Sequence, residues 1–343
     1  MAVPMKKKLT LVLIALVLLA ALAACAPAAA PAPTATSAPA ATQTPPPPTA
    51  APTATSEAKP VMASISVPDG LGGTLTLAAT AKQIVSLAPS NTEILFAIGA
   101  GGQIAAREDF TNYPPEAAKL PSVGGMSGPV SIEQIVSFKP DLVLAAPIIA
   151  PELIKGLQDL KIPVMVLPNP KSLADMYENL KLAGLISGHN KEASDLVASL
   201  QAREEKILAV AAKASSKPTV FYELDGTDPA KPWTSGPGTF VDLLISLAGG
   251  QNIGAALQGE WAQISQEDLL VKNPDFIILG DSNFGMTAEK IKERPGWDAL
   301  KAVKEGKVLP FNDDLVSRPG PRMIDGLEEL VKVLHPELAD QLK

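Results

Sequence analysis

Three sets of residues in this 343-residue chain have types and spacings that could do chemistry. Gly280-Asp281-Ser282 follows an apolar run, where a serine can act as a hydrolytic nucleophile if an aspartate and a histidine follow it. His335 is preceded by Lys332-Val333-Leu334 rather than by an aspartate three residues upstream, so a secreted Gly-Asp-Ser-type serine hydrolase using Ser282 stands only as an alternative. Glu133 and Glu267 each lie two residues after a serine at the start of an amphipathic run. There a carboxylate offsets the helix dipole by about 0.3–1 kcal/mol, which explains a glutamate at one such place but not the same one at two. Cys25 is the single cysteine, so no disulfide can form within the chain and thiolate zinc sites are excluded. The two histidines, His189 and His335, are too few and too far apart for a transition-metal cluster, and Gly99-Ala100-Gly101-Gly102 lacks the third glycine of a dinucleotide loop. Neither a metal nor a cofactor is expected.

The surroundings of Cys25 locate the protein. Lys6-Lys7-Lys8 and the apolar run Leu9 to Ala24 have the charged start and short core of a secretory leader, residues 1–24, and no other long apolar run follows. Leu22-Ala23-Ala24-Cys25 resembles the bacterial lipoprotein processing site, at which the cysteine becomes the lipidated first residue. Residues 25–60 are then expected to be an extended Ala/Pro/Thr tether, because they carry almost nothing that could bury a core. The expectation is an extracytoplasmic protein, held to the cell membrane through Cys25. Without the leader, 26 basic residues face 36 acidic ones, a net charge of −10 that argues against nucleic acid as a partner.

The remainder, from residue 61, is globular in composition and reads as alternating strands and helices. Ile65–Leu77 is an expected hairpin around Asp69-Gly70, Ile84–Pro89 a buried strand, and Ser90-Asn91-Thr92-Glu93 a capping box opening a helix over Ile94–Ile98. Further strands are expected at Leu142–Ala146, Val164–Leu167, Thr219–Leu224 and Phe276–Leu279, with helices at 151–160, 238–248 and 325–334. Ser131 to Leu144 matches Ser265 to Ile278 without gaps at an offset of 134 residues, with serine, glutamate and the Pro-Asp pair identical. Midway between the copies, Ser187 to Lys213 reads as one uninterrupted polar helix of about 40 Å. The expected fold is α/β: two Rossmann-like lobes with mainly parallel sheets, 61–186 and 217–343, joined by one long helix, 187–216.

In this arrangement Ile84–Gly99, Asn112–Glu116, Ser131–Leu144, Trp261–Leu279 and Ser317-Arg318-Pro319-Gly320-Pro321-Arg322 together resemble the substrate-binding proteins of ABC importers for vitamin B12, iron siderophores and haem, most of all the cobalamin-binding branch. The resemblance covers essentially residues 62–343. It implies a monomeric, non-enzymatic receptor that takes cobalamin or another corrinoid between its lobes and delivers it to an ABC permease and its ATPase subunits, with a siderophore or haem as the alternative cargo. It implies a ligand site of Pro89, Ser90, Phe110, Met126, Trp261, Asp314 and Arg318, with Arg322 as an arginine that could instead pair with a carboxylate. It also implies docking of Glu133 and Glu267 on permease arginines. Gly124-Gly125-Met126 and Ala145-Ala146 depart from the cobalamin pattern, which often has tryptophans there. A continuous helix between the lobes is expected to allow only a small closure.

Overall fold

The structure is a computed structural model that describes residues 64–126 and 128–343; the expected leader, Cys25 and the tether lie outside the described residues. The hairpin forms as expected. β1 (Ile65–Pro68) pairs antiparallel with β2 (Thr74–Leu77), and Asp69 accepts from the backbone N–H groups of Leu71 and Gly73 to close the loop. Then β3 (Ile84–Ser86), α1 (Pro89–Ala97), β4 (Ile104–Arg107), α2 (Ile132–Ser137), β5 (Leu142–Ala145), α3 (Pro151–Asp159) and β6 (Val164–Val166) build a parallel sheet in the order β4-β3-β5-β6. Every residue of β3, β5 and β6 is buried, as a parallel sheet covered by helices requires.

Two helices lead out of this first lobe, α4 (Leu173–Ser187) and α5 (Asn190–Ala211). The expected single helix from Ser187 to Lys213 is corrected here. Gly188 takes the left-handed conformation at φ +83°, ends α4, and lets the chain restart at Asn190. The 22 residues of α5 make about 33 Å of helix. Its stripe buries Ala193, Val197, Leu200, Ile207, Val210 and Ala211, the positions the periodicity marks.

The second lobe follows with β7 (Thr219–Asp225), β8 (Trp233–Ser235), α6 (Phe240–Leu247), β9 (Gln251–Asn252), β10 (Trp261–Gln263), α7 (Gln266–Lys272), β11 (Phe276–Leu279), α8 (Ala288–Lys292), α9 (Lys301–Lys304), β12 (Val308–Pro310) and α10 (Met323–Leu334). Its sheet runs β10-β8-β7-β11-β12, with β9 also on β7. The β7, β9, β11 and β12 pairings are parallel, whereas β8 joins β7 and β10 antiparallel.

The 134-residue match is a structural repeat. Ser131 and Ser265 each accept a bond from the backbone N–H three residues on, capping α2 and α7. Lys139 (φ 48°) and Asn273 (φ 43°) occupy equivalent positions and both turn left-handed between helix and strand. The following aspartates then fasten the strand next door: Asp141 accepts from the N–H groups of Lys82 and Gln83 ahead of β3, and Asp275 from the N–H and hydroxyl of Thr219 at the start of β7. Burial pushes the Asp275 carboxyl up, but the bonds from Lys301 and Thr219 and the Lys301 charge outweigh it and hold it at about 2.

One apolar core runs through both sheets by way of the helical layer, including Leu142 and Leu144 of β5, Met176 and Leu180 of α4, Val197 and Leu200 of α5, Leu327 and Leu330 of α10, and Tyr222 and Ile278 in the second sheet. Polar ties reinforce that layer. The Tyr177 hydroxyl donates to Glu204 at 2.7 Å, and Arg203 donates to Asp325 and Glu328 of α10 at 2.7 and 3.1 Å. The connection between the lobes is therefore a packed three-helix layer, stiffer than a lone strut.

Candidate functional site

In parallel α/β sheets, side chains for binding gather beyond the carboxyl ends of the strands. In this molecule the residues beyond the carboxyl ends of the first lobe's strands meet the second lobe at two places. At one end of the seam, Glu93 of α1 is buried and held from the second lobe by both arginines of the loop after β12. Arg322 Nε donates to Glu93 Oε2 at 2.7 Å and its Nη2 to Oε1 at 2.5 Å, and Arg318 Nη1 donates to Oε1 at 2.9 Å. Asn112, after β4, accepts from Arg318 at 2.7 Å and donates to Asp314 at 3.1 Å. At the other end, Lys171, after β6, donates to Glu260 and to the Gly238 carbonyl beside β10 and β8. The sheet orders place the loops of β5, β7 and β11 between these two ties. The ties therefore join the lobes at the two ends of this seam.

The capping box expected at Ser90-Asn91-Thr92-Glu93 does not form. The helix starts two residues earlier, at Pro89, with Ala88 as N-cap and no side-chain cap, because proline needs no N–H partner at the first position. Its polar residues have other work. Asn91 donates to the carbonyls of Leu144 and Ala145 at the end of β5, Thr92 bonds Ser86, and Glu93 takes the arginines. Ser90 is buried, and a side chain at Gly320 would meet its carbonyl oxygen at 3.6 Å, so the loop 317–322 lies across the start of α1.

The expected ligand residues divide by surroundings. Phe110 is 44% exposed and Met126 62%; the Phe110 carbonyl accepts from Arg318, and Gly125 next to Met126 lies against the Phe110 ring, so both stand beside the first tie. Trp261, 38% exposed, packs on Phe240 with ring centroids 5.5 Å apart and follows Glu260 of the second tie. Pro89 is half-buried at the start of α1. Asp314 and Arg318 are ion-paired to each other at 2.7 Å. Arg322 pairs with a carboxylate, as its reading allowed, and stacks 4.2 Å above the Tyr113 ring; Arg318 shares that same carboxylate.

Sequence reasoning gave Glu93 to a cap and passed over Ile148 and Phe284. These are 87% and 82% exposed, each shortly after an interior strand of its sheet, β5 and β11. The available signal was an apolar residue in each of two loops related by the repeat.

Within the second lobe, on β7, lies a buried ion group. Arg294 Nη1 and Nη2 donate to Glu223 at 2.5 and 2.9 Å while the guanidinium rests 4.4 Å from the Trp297 ring. Burial pushes the Glu223 carboxyl up to about 7; Arg294 opposes this and the neighbouring Asp281 adds to it.

Glu133 and Glu267 are both exposed in the first turns of α2 and α7, which lead by short turns into β5 and β11 and so begin on the carboxyl side of those strands. The Glu133 carboxyl is held below its ordinary range by its own backbone N–H and by the Ser131 hydroxyl, which donates to it at 2.8 Å.

The Ser282 alternative fails on geometry. Its hydroxyl donates to the Phe311 carbonyl at 2.9 Å. Neither histidine of the chain is near it. His335 is fully buried beyond the end of α10, against Gly249, and His189 sits at the α4–α5 junction, where neighbouring Ile186 and Ser187 accept bonds from residues ahead of β3 and β4. Among the described residues, no group of three or more His, Cys, Asp or Glu is placed to hold a metal ion, and no helix is long and apolar enough to cross a membrane.

Comparison with known proteins agrees with this geometry. The chain is 34% identical over 279 residues to the ABC transporter substrate-binding lipoprotein YvrC of Bacillus subtilis strain 168, covering 80% of this chain and 86% of that one. It is 30% identical over 261 residues to the vitamin B12-binding protein of Pectobacterium atrosepticum, covering 74% and 88%. The crystallised periplasmic haem-binding protein RhuT of Roseiflexus sp. RS-1 superposes with a TM-score of 0.67 at 26% identity, covering 76% of this chain and 99% of that one. These are binding and transport proteins, not enzymes. Residues 84–315, spanning both sheets from β3 to the loop after β12, match the family described as Periplasmic binding protein, and the chain belongs to that family.

Proposed function

We propose that the protein is a lipid-anchored extracytoplasmic receptor that takes cobalamin or a related corrinoid into the cleft between its lobes and passes it to an ABC permease with its ATPase subunits. The observation that carries this reading is the pair of ionic ties joining the lobes, beside which the rings of Phe110 and Trp261 and the thioether of Met126 stand exposed; the reading takes the seam between them as the ligand cleft. Such faces suit a broad, flat macrocycle. The vitamin B12-binding relatives favour a corrinoid, and the haem- and iron-binding structural neighbours keep a flat iron chelate as the second reading. Both histidines lie away from the cleft, so the chain offers no imidazole to a haem iron there. The Cys25 anchor is supported by the lipoprotein relative and by the leader in the sequence.

In this reading Glu133 and Glu267 are the docking points. They recur in both lobes, are exposed, and begin helices on the carboxyl side of β5 and β11, where two permease arginines can reach both lobes at once. Reversing both charges, Glu133→Lys with Glu267→Lys, is expected to abolish uptake in a transport assay while ligand affinity stays within about twofold, since neither residue lies at the ties. Uptake at the wild-type rate would refute the docking role.

A further inference from the structure

The arginines of the cleft are committed to partners within the chain. Arg318 donates from Nη1 to Glu93 and Asn112, and from Nη2 to the Phe110 carbonyl at 3.3 Å, with Asp314 Oδ1 2.7 Å from that nitrogen. Arg322 is bidentate to Glu93 and stacked on Tyr113. Two guanidinium groups face two carboxylates, and their side chains are only 11% and 13% exposed. Arg107, at the end of β4, is bonded to the carbonyls of Glu108 and Ala118 and lies 3.8 Å from Asp109. At the other tie Lys171 is matched by Glu260. Two further lysines belong to the second lobe: Lys290 of α8 donates to the Gly285 carbonyl at 2.7 Å, and Lys231 lies in the loop after β7 that follows Asp225 and contains Asp228. Glu108 and Asp313 add acidic groups behind the first tie; burial pushes both carboxyls up.

We infer that the cargo is neutral or cationic at its periphery, such as an amide-decorated corrinoid or a cationic hydroxamate chelate, and that the cleft discriminates against carboxylate-bearing macrocycles and anionic chelates. This inference rests on the proposed reading of the cleft as the ligand site. An anionic group entering beside Glu93 and Asp314 loses its water and meets no net positive charge. To gain an arginine it must displace a carboxylate that joins the lobes, leaving that carboxylate buried and unpaired. An amide avoids both costs: its carbonyl accepts and its N–H donates without altering the charge balance. Arg318 is thus a tie between lobes and not a clamp for ligand acids.

The test is a set of calorimetric titrations of the whole extracytoplasmic protein with probes that separate charge from shape. Cyanocobalamin is compared with its monocarboxylate derivative, in which one side-chain amide is replaced by a carboxylate; ferrioxamine B serves as a cationic chelate and haem as an anionic macrocycle. The expected result is binding of cyanocobalamin at least about tenfold tighter than of its monocarboxylate, with haem weaker than either. Asp314→Asn, which removes one of the balancing acids, is expected to raise the affinity ratio of monocarboxylate to cyanocobalamin about tenfold. Equal or tighter binding of the monocarboxylate, or binding of haem alone, overturns the charge inference and leaves the receptor reading standing. Binding of none of the four overturns both.

Discussion

Glu93→Gln is expected to lower stability by about 3 kcal/mol and to raise amide exchange in the loop 317–322 and at the start of α1. Glu93 is buried and receives three charge-assisted hydrogen bonds from Arg318 and Arg322, which come from the other lobe. Glutamine preserves the volume, so packing is not the variable. What changes is that two guanidinium groups keep only Asp314 as a charged partner, and removing one partner of a buried pair costs far more than the pair contributes over an apolar core. The helical layer of α4, α5 and α10 still joins the lobes, so the effect is expected to be a local loosening of the seam with the cores intact. Urea unfolding followed by circular dichroism gives the free energy, and hydrogen exchange gives the place. A loss below about 0.5 kcal/mol with unchanged exchange would show that the pair does not hold the seam.

Arg294→Met is expected to destabilise the second lobe by about 3–5 kcal/mol near neutral pH, and by less at pH 5. Methionine can fill the space against Trp297 but leaves the buried Glu223 without its cation. The pH dependence follows from Glu223 together with Arg294 and Asp281. The folded-state value near 7 lies above the ordinary 4.5, so the wild-type protein is most stable below about pH 4.5 as far as this group is concerned, and loses up to about 3 kcal/mol as pH rises to 7, where the folded carboxyl ionises too. Without Arg294 the folded carboxyl keeps its proton to higher pH, so the decline continues past 7 where the wild-type curve levels. Urea midpoints measured from pH 5 to 9 for both proteins check this. Parallel curves would contradict it.

Both devices were hidden in the sequence for the same reason. The order of buried strands, the Asp69-Gly70 hairpin and the 134-residue repeat are legible because each rests on local chemistry: a capping serine, a Pro-Asp turn, a short β-branched run. The serine-to-glutamate spacing at Ser90–Glu93 offered equally good local chemistry, yet the tertiary demand of two arginines 225 and 229 positions away took the glutamate instead. The break at Gly188 was legible, since a glycine followed by His189 and Asn190 is a helix stop and restart, but the polar periodicity on either side masked it. Short strands such as β8 and β10 leave too few residues for a period to register, so no strand was expected at Trp261, which belongs to an antiparallel edge strand. Of the candidate site, Phe110, Met126 and Trp261 could be nominated because a ring or thioether is visible as a type, and the fold leaves all three exposed. The state of Arg318 could not be read, because an arginine's partners are a property of the fold.

The central claim is that the opening between the two ties is where cargo is held. Calorimetric titration with cyanocobalamin of the wild-type protein and of Phe110→Ala and Trp261→Ala tests it most directly. The account predicts one site per chain with a Kd between about 1 nM and 10 μM, weakened at least about tenfold by each substitution. Binding of cyanocobalamin that neither substitution changes would place the ligand elsewhere on the molecule and contradict it.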